Sequence, residues 1–543
     1  MHMFCFQCQE TSQSQGCTFG GACGKSEEAA NFQDLLIFVL KGIALVVKAG
    51  AQADRETNAF VFEALYATIT NTNFDPDRIR AYVRRGLQLK RGLLAQLAPE
   101  HRSALAEPAL FDEEDEDALR RKAYLVGVLS TPDVDVRSLR ETVTYALKGI
   151  SAYATHARIL GHETLAIGTF VLRALAAVAT ETSLDRLLEL ALETGGVVVE
   201  VMELLDRANA TRFGEPHSCR VPLGVRHRPG ILVSGHDLKD IEELLEQTRD
   251  SGVDVYTNGE MIAAHYYPRL KSFENLVGNY GGAWWRQDIE FAQFRGPILM
   301  TSNCIIPVAD SYKERIFTTG VAGYPEVRHL DRLRPNGDKD FSEIIALAKE
   351  CPPPLPIDSG ICLGGFKHGE LSEHAPKLLS LVKEGRIKRF VVIGGCDGRD
   401  ILREYYRLLA EKLPRETIIL TAGCAKYPFF KLDLGEIDGI PRVLDAGQCN
   451  DCYSLIAFAL SLTKTLGLAS PNDLPLSVNV AWYDQKAVAV LLALFHLGFK
   501  GFRLGPTLPA FLSPKVRQIL VERFDVRQIG TADADVKAML LGL

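Results

Sequence analysis

Cysteine residues follow the ends of several short apolar segments in the second half of this chain. The clearest segment is Phe390–Ile393, whose apolar residues are typical of a strand buried on both faces. Two glycines then turn the backbone, and Cys396 follows. Because open α/β sheets hold ligands at the carboxyl ends of their strands, this order places Cys396 in a binding crevice. A single such cysteine is more often a small buried apolar side chain, so the argument depends on repetition.

The same order recurs along the chain with other residues that bind metals. Three further cysteines, one histidine, one glutamate and one aspartate come within four residues of the end of a predicted strand. The complete set is His236, Glu260, Cys304, Cys396, Cys424, Cys449 and Asp484. Side chains on strand-end loops can converge on one point, and thiolates with imidazole and carboxylates suit iron that has both sulfide and oxygen partners. The sequence therefore predicts a centre of this kind.

A second group of cysteines lies near the N-terminus. Cys5, Cys8, Cys17 and Cys23 fall within nineteen residues and are separated by a glycine-rich sequence. Four thiolates at this spacing can surround one tetrahedral or cubane site. The spacing alone leaves a structural zinc ion and an iron–sulfur cluster as alternatives.

Helical patterns dominate the chain as far as residue 209. Asp34–Lys48 is apolar with a helical rhythm, and Ser183–Ala208 has the length of another helix. Asp75-Pro76 and Thr131-Pro132 each combine a capping residue with a proline at the first helical position. We therefore predict one or two antiparallel helical bundles in this region.

Strands and helices alternate after Phe213, which is typical of doubly wound parallel sheets. We predict an α + α/β chain of three domains. A helical-bundle domain with the N-terminal cluster motif spans residues 1–213, and two Rossmann-like α/β domains span residues 214–363 and 364–543. The second metal centre is expected at the interface of the α/β domains.

Composition excludes several other classes of protein. The net charge of −7 disfavours a nucleic-acid partner or an anionic membrane surface. The first residues lack the basic and apolar segments of a signal peptide, and the apolar stretches are short or interrupted, so we predict a cytoplasmic chain without a membrane span. The full dinucleotide fingerprint is absent, so the sequence does not support nicotinamide or flavin binding.

Some residues near these patterns have two readings. Lys486 follows Asp484 by two positions, so it either places an ammonium beside the same site or lies on the surface. Cys449 and Cys452 have the spacing of a redox pair, but we favour Cys449 as a ligand and Cys452 as a buried helical residue. We predict structural roles for Cys219, Cys351 and Cys362. His156 and His162 are predicted to be surface or satisfied core histidines, and His265 and His496 to pack within helices or to lie just outside the ligand set.

Ten segments spread over nearly the whole chain resemble the hybrid-cluster proteins, also called prismane proteins or hydroxylamine reductases. They are FCFQCQET, LVSGHDLKD, VYTNGEM, GNYGGAW, TSNC, VVIGGCDGRD, TAGCAKY, LDAGQCND, WYDQKAV and RLGPTLPAF. The resemblance implies a helical N-terminal domain, two α/β domains and two iron–sulfur clusters. It also implies a monomer, because the helical domain is similar to that of monomeric members.

The resemblance assigns both groups of residues to clusters. Cys5, Cys8, Cys17 and Cys23 would hold a [4Fe–4S] cluster. The seven strand-end residues would hold a hybrid [4Fe–2O–2S] cluster, with Cys396 carried as a persulfide and Lys486 nearby. The catalytic residues implied are His236, Glu260, Cys396, Asp484 and Lys486. Where the family has glutamate in its W-Y-E-Q-K-A motif, this chain has Asp484, which is one methylene shorter.

The activity implied is reduction of hydroxylamine to ammonia and water, with electrons from an external donor protein that pass through the N-terminal cluster. Two alternatives stay open on the sequence. One is reduction of nitric oxide to nitrous oxide, which uses a similarly small N–O substrate. The other is sensing of nitric oxide, or transfer of nitrosyl groups to the thiols of partner proteins. A zinc-stabilised protein without catalytic iron is a further alternative.

Overall fold

Long apolar helices form the first part of the protein, as a computed structural model that describes residues 3–542 shows. Nine helices in this region are α1 (Glu27–Lys48), α2 (Arg55–Ala67), α3 (Pro76–Ala95), α4 (Pro99–Ser103), α5 (Glu107–Leu110), α6 (Glu116–Ala123), α7 (Val134–Ile159), α8 (Leu165–Thr180) and α9 (Leu184–Phe213). The predicted helical region is therefore confirmed.

Helix α1 is the core of this bundle. The Ser26 side chain caps its first turn by accepting a hydrogen bond from the Ala29 backbone N–H, and Glu27 and Glu28 complement the helix dipole. Within the described chain, α1 is the one helix long and apolar enough to cross a membrane, but 78% of its most apolar window is buried inside the protein. This burial is typical of the core helix of a globular protein.

Two helix starts predicted from capping residues have different outcomes. Helix α3 begins at Pro76, and the Asp75 side chain caps it as predicted. Helix α7 does not begin at Pro132, because the cap is Asp133, whose carboxylate accepts hydrogen bonds from the backbone N–H groups of Asp135 and Val136. Aspartate is a stronger N-cap than threonine, so the helix begins two residues later than the Thr131-Pro132 signal indicated.

The second region is built on a six-stranded parallel sheet. Its elements are β1 (Cys219–Pro222), β2 (Gly230–Ser234), α10 (Leu238–Thr248), β3 (Asp254–Thr257), α11 (Pro268–Lys271), β4 (Leu276–Asn279), α12 (Gln287–Phe294), β5 (Ile298–Met300), β6 (Ile316–Thr318), β7 (Arg328–His329), α13 (Ser342–Glu350) and β8 (Ile361–Gly364). The strand order is β4-β3-β2-β5-β6-β7, and β1 pairs separately with β8 in an antiparallel ladder. Residues Gly259–Tyr266, which include Glu260, form a 3₁₀ segment after β3.

The third region contains a second six-stranded parallel sheet. Its elements are α14 (His368–Lys383), β9 (Arg389–Gly395), α15 (Glu404–Lys412), β10 (Thr417–Thr421), β11 (Glu436–Ile437), β12 (Ile440–Pro441), β13 (Val443–Asp445), α16 (Cys452–Thr465), β14 (Leu476–Ala481), α17 (Gln485–His496), β15 (Arg503–Gly505), α18 (Pro514–Phe524), β16 (Arg527–Gln528) and α19 (Ala532–Leu540). The strand order is β13-β10-β9-β14-β15-β16. The predicted fold class, a helical region followed by two doubly wound sheets, is confirmed.

Helix α17 joins the third region to the helical bundle. It packs between α7 and α9, and two glycines allow the close approach. A Cβ atom at Gly149 of α7 would lie 2.7 Å from the Ala489 Cβ, and one at Gly195 of α9 would lie 2.1 Å from the Leu492 carbonyl oxygen. Neither position has room for a side chain, so the backbones of these helices hold α17 in register.

We expect Gly195→Ala to destabilise the protein by about 1–3 kcal/mol, because the added methyl group forces α9 away from α17. The measurement is the thermal unfolding transition of the purified protein. Gly92→Ala in α3 is the matched control, since a Cβ there meets nothing within 4 Å. That substitution should be neutral or stabilise by about 0.5–1 kcal/mol. An unfolding temperature of Gly195→Ala equal to that of the parent would contradict the packing argument.

Candidate metal centre

Both parallel sheets share one strand order, and that order creates a crevice in each. When the strands are numbered by sequence within each region, each six-stranded sheet has the order 3-2-1-4-5-6. The first three strands extend the sheet to one side and the next three extend it to the other, so the strand order reverses between the first and fourth strands. Ligand sites form at such a switch point, beyond the carboxyl ends of the strands. His236 and Cys304 follow the two switch-point strands β2 and β5, and Cys396 and Asp484 follow β9 and β14. The remaining residues, Glu260, Cys424 and Cys449, follow the adjacent strands β3, β10 and β13.

All seven strand-end residues line one cavity between the two sheets. Trp284, Asn303, Gly395, Tyr483 and Lys486 complete its wall. The convergence predicted from the sequence is therefore what the structure shows, whereas the metal bonded by each residue stays a prediction.

His236, Glu260 and Cys449 are the closest group in this cavity. Their ligand atoms lie within 4.8 Å of one another. Oε2 of Glu260 lies 3.2 Å from His236 Nε2 and accepts a hydrogen bond of 2.7 Å from the Cys449 backbone N–H. The other oxygen, Oε1, is buried without a hydrogen-bond partner. A buried carboxylate oxygen without a partner is costly, and a metal ion would satisfy it.

The protonation of these groups is compatible with metal binding. Burial and the neighbouring Lys486 ammonium lower the pKa of His236, so its imidazole is neutral at pH 7 and can coordinate. Burial tends to raise the pKa of Glu260, but the hydrogen bond with His236 and the charges of Lys426 and Lys486 outweigh it and hold the pKa at about 2. Glu260 is therefore an anion throughout the physiological range.

The four thiols in the cavity need a cation to become thiolates. Burial raises the pKa of Cys304, Cys396, Cys424 and Cys449, and nearby acidic groups raise it further. Iron supplies the compensating charge, because metal coordination deprotonates a thiol. Sulfur, nitrogen and oxygen donors around one dry cavity fit an iron–sulfur centre with oxygen ligands.

Asp484 and Lys486 line the same cavity and begin helix α17. Asp484 Oδ1 accepts a hydrogen bond of 2.9 Å from the Lys486 backbone N–H and thereby caps helix α17. Its Oδ2 accepts a hydrogen bond of 3.4 Å from the Asn303 side-chain amide. Both oxygens of the Asp484 carboxylate therefore have hydrogen-bond donors from the protein, whereas Oε1 of Glu260 has none. Lys486 is buried, with Nζ 3.2 Å from His236 Nε2 and 2.9 Å from Asn303 Oδ1.

Sequence analysis missed several polar side chains that orient these residues. Ser302 Oγ lies 3.0 Å from His236 Nδ1, and Asn303 Nδ2 donates to Cys304 Sγ at 3.3 Å. The Gln448 side chain donates hydrogen bonds of 3.3 Å to the carbonyl oxygens of His236 and Glu260, which joins the two sheets. None of these three residues is a usual metal ligand. The signal in the sequence was their position directly before Cys304 and Cys449.

His156 was predicted to be a surface or satisfied core histidine, and the second description applies. Burial lowers its pKa to about 3, and Nε2 lies 3.0 Å from the Tyr66 hydroxyl. Tyr66 in turn donates to Asn303 Oδ1 at 3.1 Å. The helical bundle therefore reaches the cavity through two side chains that carry no metal-binding signal.

The N-terminal cysteines form a second group. Cys5 and Cys17 pair through two backbone hydrogen bonds of 3.0 and 2.8 Å. The backbone N–H groups of Ser12 and Ala22 donate to Cys17 Sγ at 3.4 and 3.3 Å. Burial raises the pKa of Cys8, and the thiols of Cys23, Cys5 and Cys17 raise it further because all four lie close together. Four thiols with backbone donors aimed at sulfur fit an iron–sulfur cluster.

The N-terminal segment also touches the first cavity. The Gln9 backbone N–H donates to the Tyr483 carbonyl oxygen at 3.0 Å, and the Gln485 side chain donates to the Gln7 carbonyl oxygen at 2.6 Å. Tyr483 and Gln485 flank Asp484, so residues of the two sites are hydrogen-bonded neighbours.

Comparison with known proteins agrees with this architecture. Residues 3–537 match the Prismane/CO dehydrogenase family. This chain belongs to that family. A hydroxylamine reductase of Nitratidesulfovibrio vulgaris is 52% identical over 99% of this chain and all of its own length. A hydroxylamine reductase of Methanocaldococcus jannaschii is 49% identical over 99% of this chain and all of its own length.

Solved structures extend the likeness to the fold. A carbon monoxide dehydrogenase from Thermococcus sp. AM4 aligns with a TM-score of 0.59 at 17% identity, covering 99% of this chain and 90% of the other. Membership of the prismane family makes the chain an iron–sulfur oxidoreductase. It also favours iron–sulfur clusters over zinc, and the cysteine groups of the chain fit a [4Fe–4S] cluster and a hybrid cluster.

A buried ion pair supports the thiol loops of this prismane-family chain. Lys426 is fully buried two residues after Cys424, and its Nζ contacts Asp445 Oδ1 at 2.7 Å and the Gly447 carbonyl oxygen at 2.7 Å. Tyr266 donates to Asp445 Oδ2 at 2.7 Å. The pair therefore connects the Cys424 turn, the loop before Cys449 and the segment after Glu260.

Lys426→Met should destabilise the metal-free protein by about 3–5 kcal/mol, because it leaves the Asp445 carboxylate buried without its cation. The measurement is equilibrium unfolding of the purified chain. Lys388→Met is the matched control, since its pair with Glu416 spans 3.8 Å and both side chains are exposed. That pair should contribute less than about 1 kcal/mol. Equal effects of the two substitutions would show that burial does not decide the energy of the pair.

Proposed function

We propose that this prismane-family chain reduces hydroxylamine to ammonia and water in the cavity between the two sheets. The observation that carries the proposal is the meeting of all seven strand-end side chains, from two separate sheets, around one buried cavity. The hydroxylamine reductases about 50% identical over the full chain give the substrate class. The partners are a small N–O substrate and an external electron-donor protein.

The proposal assigns the metals as follows. Cys304, Cys396, Cys424, Cys449, His236, Glu260 and Asp484 hold the hybrid [4Fe–2O–2S] cluster, with Cys396 as a persulfide. Cys5, Cys8, Cys17 and Cys23 hold the [4Fe–4S] cluster. When bound, the hybrid cluster supplies electrons and a Lewis-acid iron for the N–O group. The boundaries of the three domains, the cytoplasmic location and the monomeric state stay predictions.

Reduction of hydroxylamine to ammonia and water consumes two electrons and two protons. The buried Lys486 ammonium is the proton-bearing group beside His236, and the Asn303 side chain fixes its position. Glu260 remains ionised and places a negative charge next to the cationic species formed by protonation of the substrate. Trp284 and Tyr483 are buried and line the same cavity, where they exclude bulk water.

Asp484 contributes to this arrangement as the cap of α17, the helix that carries Lys486. The Asn303 side chain donates to Asp484 and accepts from Lys486, so Asp484 and Lys486 share one partner. The Tyr66 hydroxyl orients Asn303 from the other side. The proposal therefore assigns Asp484 a positioning role in addition to that of an oxygen ligand.

The contact between the N-terminal segment and Tyr483–Gln485 supports the proposed electron route. Electrons from the donor would enter at the cluster held by the four N-terminal cysteines, and this hydrogen-bonded contact lies between those cysteines and the cavity.

Substitution of one cysteine in each group should remove one cluster and leave the other. Anaerobically purified protein should contain about eight irons per chain, four in each cluster. We expect Cys8→Ala to lose the cubane signal in electron paramagnetic resonance and Cys424→Ala to lose the hybrid signal. Cys362→Ala is the control, because Cys362 lies on β8 and outside both groups. A single signal that disappears in both cysteine variants would refute the assignment to two sites.

Anaerobic turnover with a reduced viologen tests the activity. We expect one ammonia for each hydroxylamine consumed and unchanged activity in Cys362→Ala. Lys486→Met should retain its iron, and its kcat should be lower by about 10²-fold or more. Nitrous oxide formation from nitric oxide, without ammonia from hydroxylamine, would replace this proposal with nitric oxide reduction. A stable nitrosylated Cys396 without turnover of either substrate would replace it with sensing.

A further inference from the structure

A second polar cavity lies in the helical region and reaches Cys5. Helices α1 and α7 form its walls, and residues 126–131 form its mouth, where Ser130 is exposed to solvent. The cavity therefore connects the protein surface with the N-terminal cysteine group. It is distinct from the cavity between the two sheets.

Charged side chains line this cavity from α1, α7 and the N-terminal segment. Asp34 of α1 is half-buried and faces the mouth, because a Cβ at Gly127 would lie 2.7 Å from its Oδ2. Lys41 lies two turns further along α1, and Arg140 faces it from α7. The remaining titratable groups that line the cavity are Glu141, Tyr145 and Lys148 of α7, together with Lys25 and Cys5 of the N-terminal segment.

The two lysines at the inner end have fixed partners. Lys148 donates to the Gln7 side chain at 2.8 Å and to the Thr68 carbonyl oxygen at 3.4 Å. Lys25 donates to the Gln33 side chain at 2.6 Å. Gln7 lies between Cys5 and Cys8, so this network begins within the cysteine group and extends to the wall that carries Asp34.

A carboxyl group in this position responds to a charge placed on the cysteines. Burial raises the pKa of Asp34, Lys148 opposes that rise, Glu141 adds to it, and Lys41 and Lys25 oppose it, so that the pKa is about 7. One electron added near Cys5 brings one more negative charge into a medium of low dielectric constant. Reduction therefore raises the proton affinity of Asp34, and the mouth of the cavity gives water access to it.

We propose that Asp34 is a redox-linked proton site of the N-terminal cluster. When the site held by the four cysteines accepts one electron from the external donor, the Asp34 carboxylate takes one proton from water through the cavity mouth. Loss of the electron returns that proton, so charge is balanced in both directions. The proposal rests on the assignment of Cys5, Cys8, Cys17 and Cys23 to a [4Fe–4S] cluster made above.

The test is a redox titration of the iron-loaded full chain, followed by electron paramagnetic resonance with dithionite as the reductant, from about pH 5 to about pH 9. Because protons favour the reduced form, the midpoint potential should fall as pH rises. The slope should be steepest above neutral pH, between the pKa values of Asp34 in the oxidised and the reduced protein, and about 59 mV per pH unit, the one-electron equivalent of a tenfold change, is its upper limit. Asp34→Asn, which keeps the size of the side chain, should make the potential independent of pH.

Three further variants separate this proton site from a general charge effect. Glu113→Gln removes an exposed acidic charge in the same region and should retain the slope of the parent. Glu141→Gln should move the sloping range to lower pH, because it removes an anion beside Asp34. Lys41→Gln should move that range to higher pH, because it removes a cation. Shifts of these two variants in the same direction would overturn the proposal, even if Asp34→Asn failed to fold.

Two outcomes with the unsubstituted chain are also decisive. A cubane signal whose potential does not change with pH overturns the proton site and leaves the cluster assignment intact. Absence of the cubane signal overturns the cluster assignment, and the proton site with it. Retention of the slope in Asp34→Asn assigns the proton to another group and overturns the proposal.

Discussion

The two parallel sheets must place their switch points against each other, and the rest of the structure depends on this constraint. Each sheet alone supplies three or four metal-binding side chains, and neither set closes around a site. The crevices must face each other before His236 from β2 can come near Cys449 from β13. The Gln448 side chain, which donates to the carbonyl oxygens of His236 and Glu260, fixes that relation directly.

Burial of so many acidic groups requires buried cations. Lys426 compensates Asp445, Lys486 lies beside His236, and Lys367 pairs with Asp206 and Asp451. Asp206 belongs to helix α9 and Asp451 follows Cys449, so this last group connects the bundle to a thiol loop. Removal of one member leaves a buried charge, which is costly, and for this reason such pairs fix geometry more than they add stability.

Strand-end residues were predictable because a buried strand has a simple apolar pattern and a glycine-rich end. Phe390 to Cys396 shows it clearly, although β9 continues through both glycines to Gly395, whereas a strand that ends at Ile393 was predicted. The strand order was not predictable. Strand β9 pairs with β10, the next strand of the sheet in sequence, and also with the more distant β14, and nothing in the sequence indicates the second pairing. Asn303 was missed because an amide carries no metal signal, and the start of α7 was misplaced because Asp133 competes with Thr131 as a cap.

Helix α7 gives a physical reason for both sites to behave as one unit. Lys148 faces the polar cavity near Cys5, while the next residue, Gly149, packs against α17. A Cβ at Gly149 would lie 3.2 Å from the Gln485 carbonyl oxygen and 3.3 Å from the Lys486 Cα. Displacement of α7 would therefore move Lys148, which donates a hydrogen bond to Gln7, and it would also move the turn that carries Asp484 and Lys486. A rigid helix between the two proposed cluster sites keeps their separation constant, and in the proposed route that separation would govern how readily electrons pass between them.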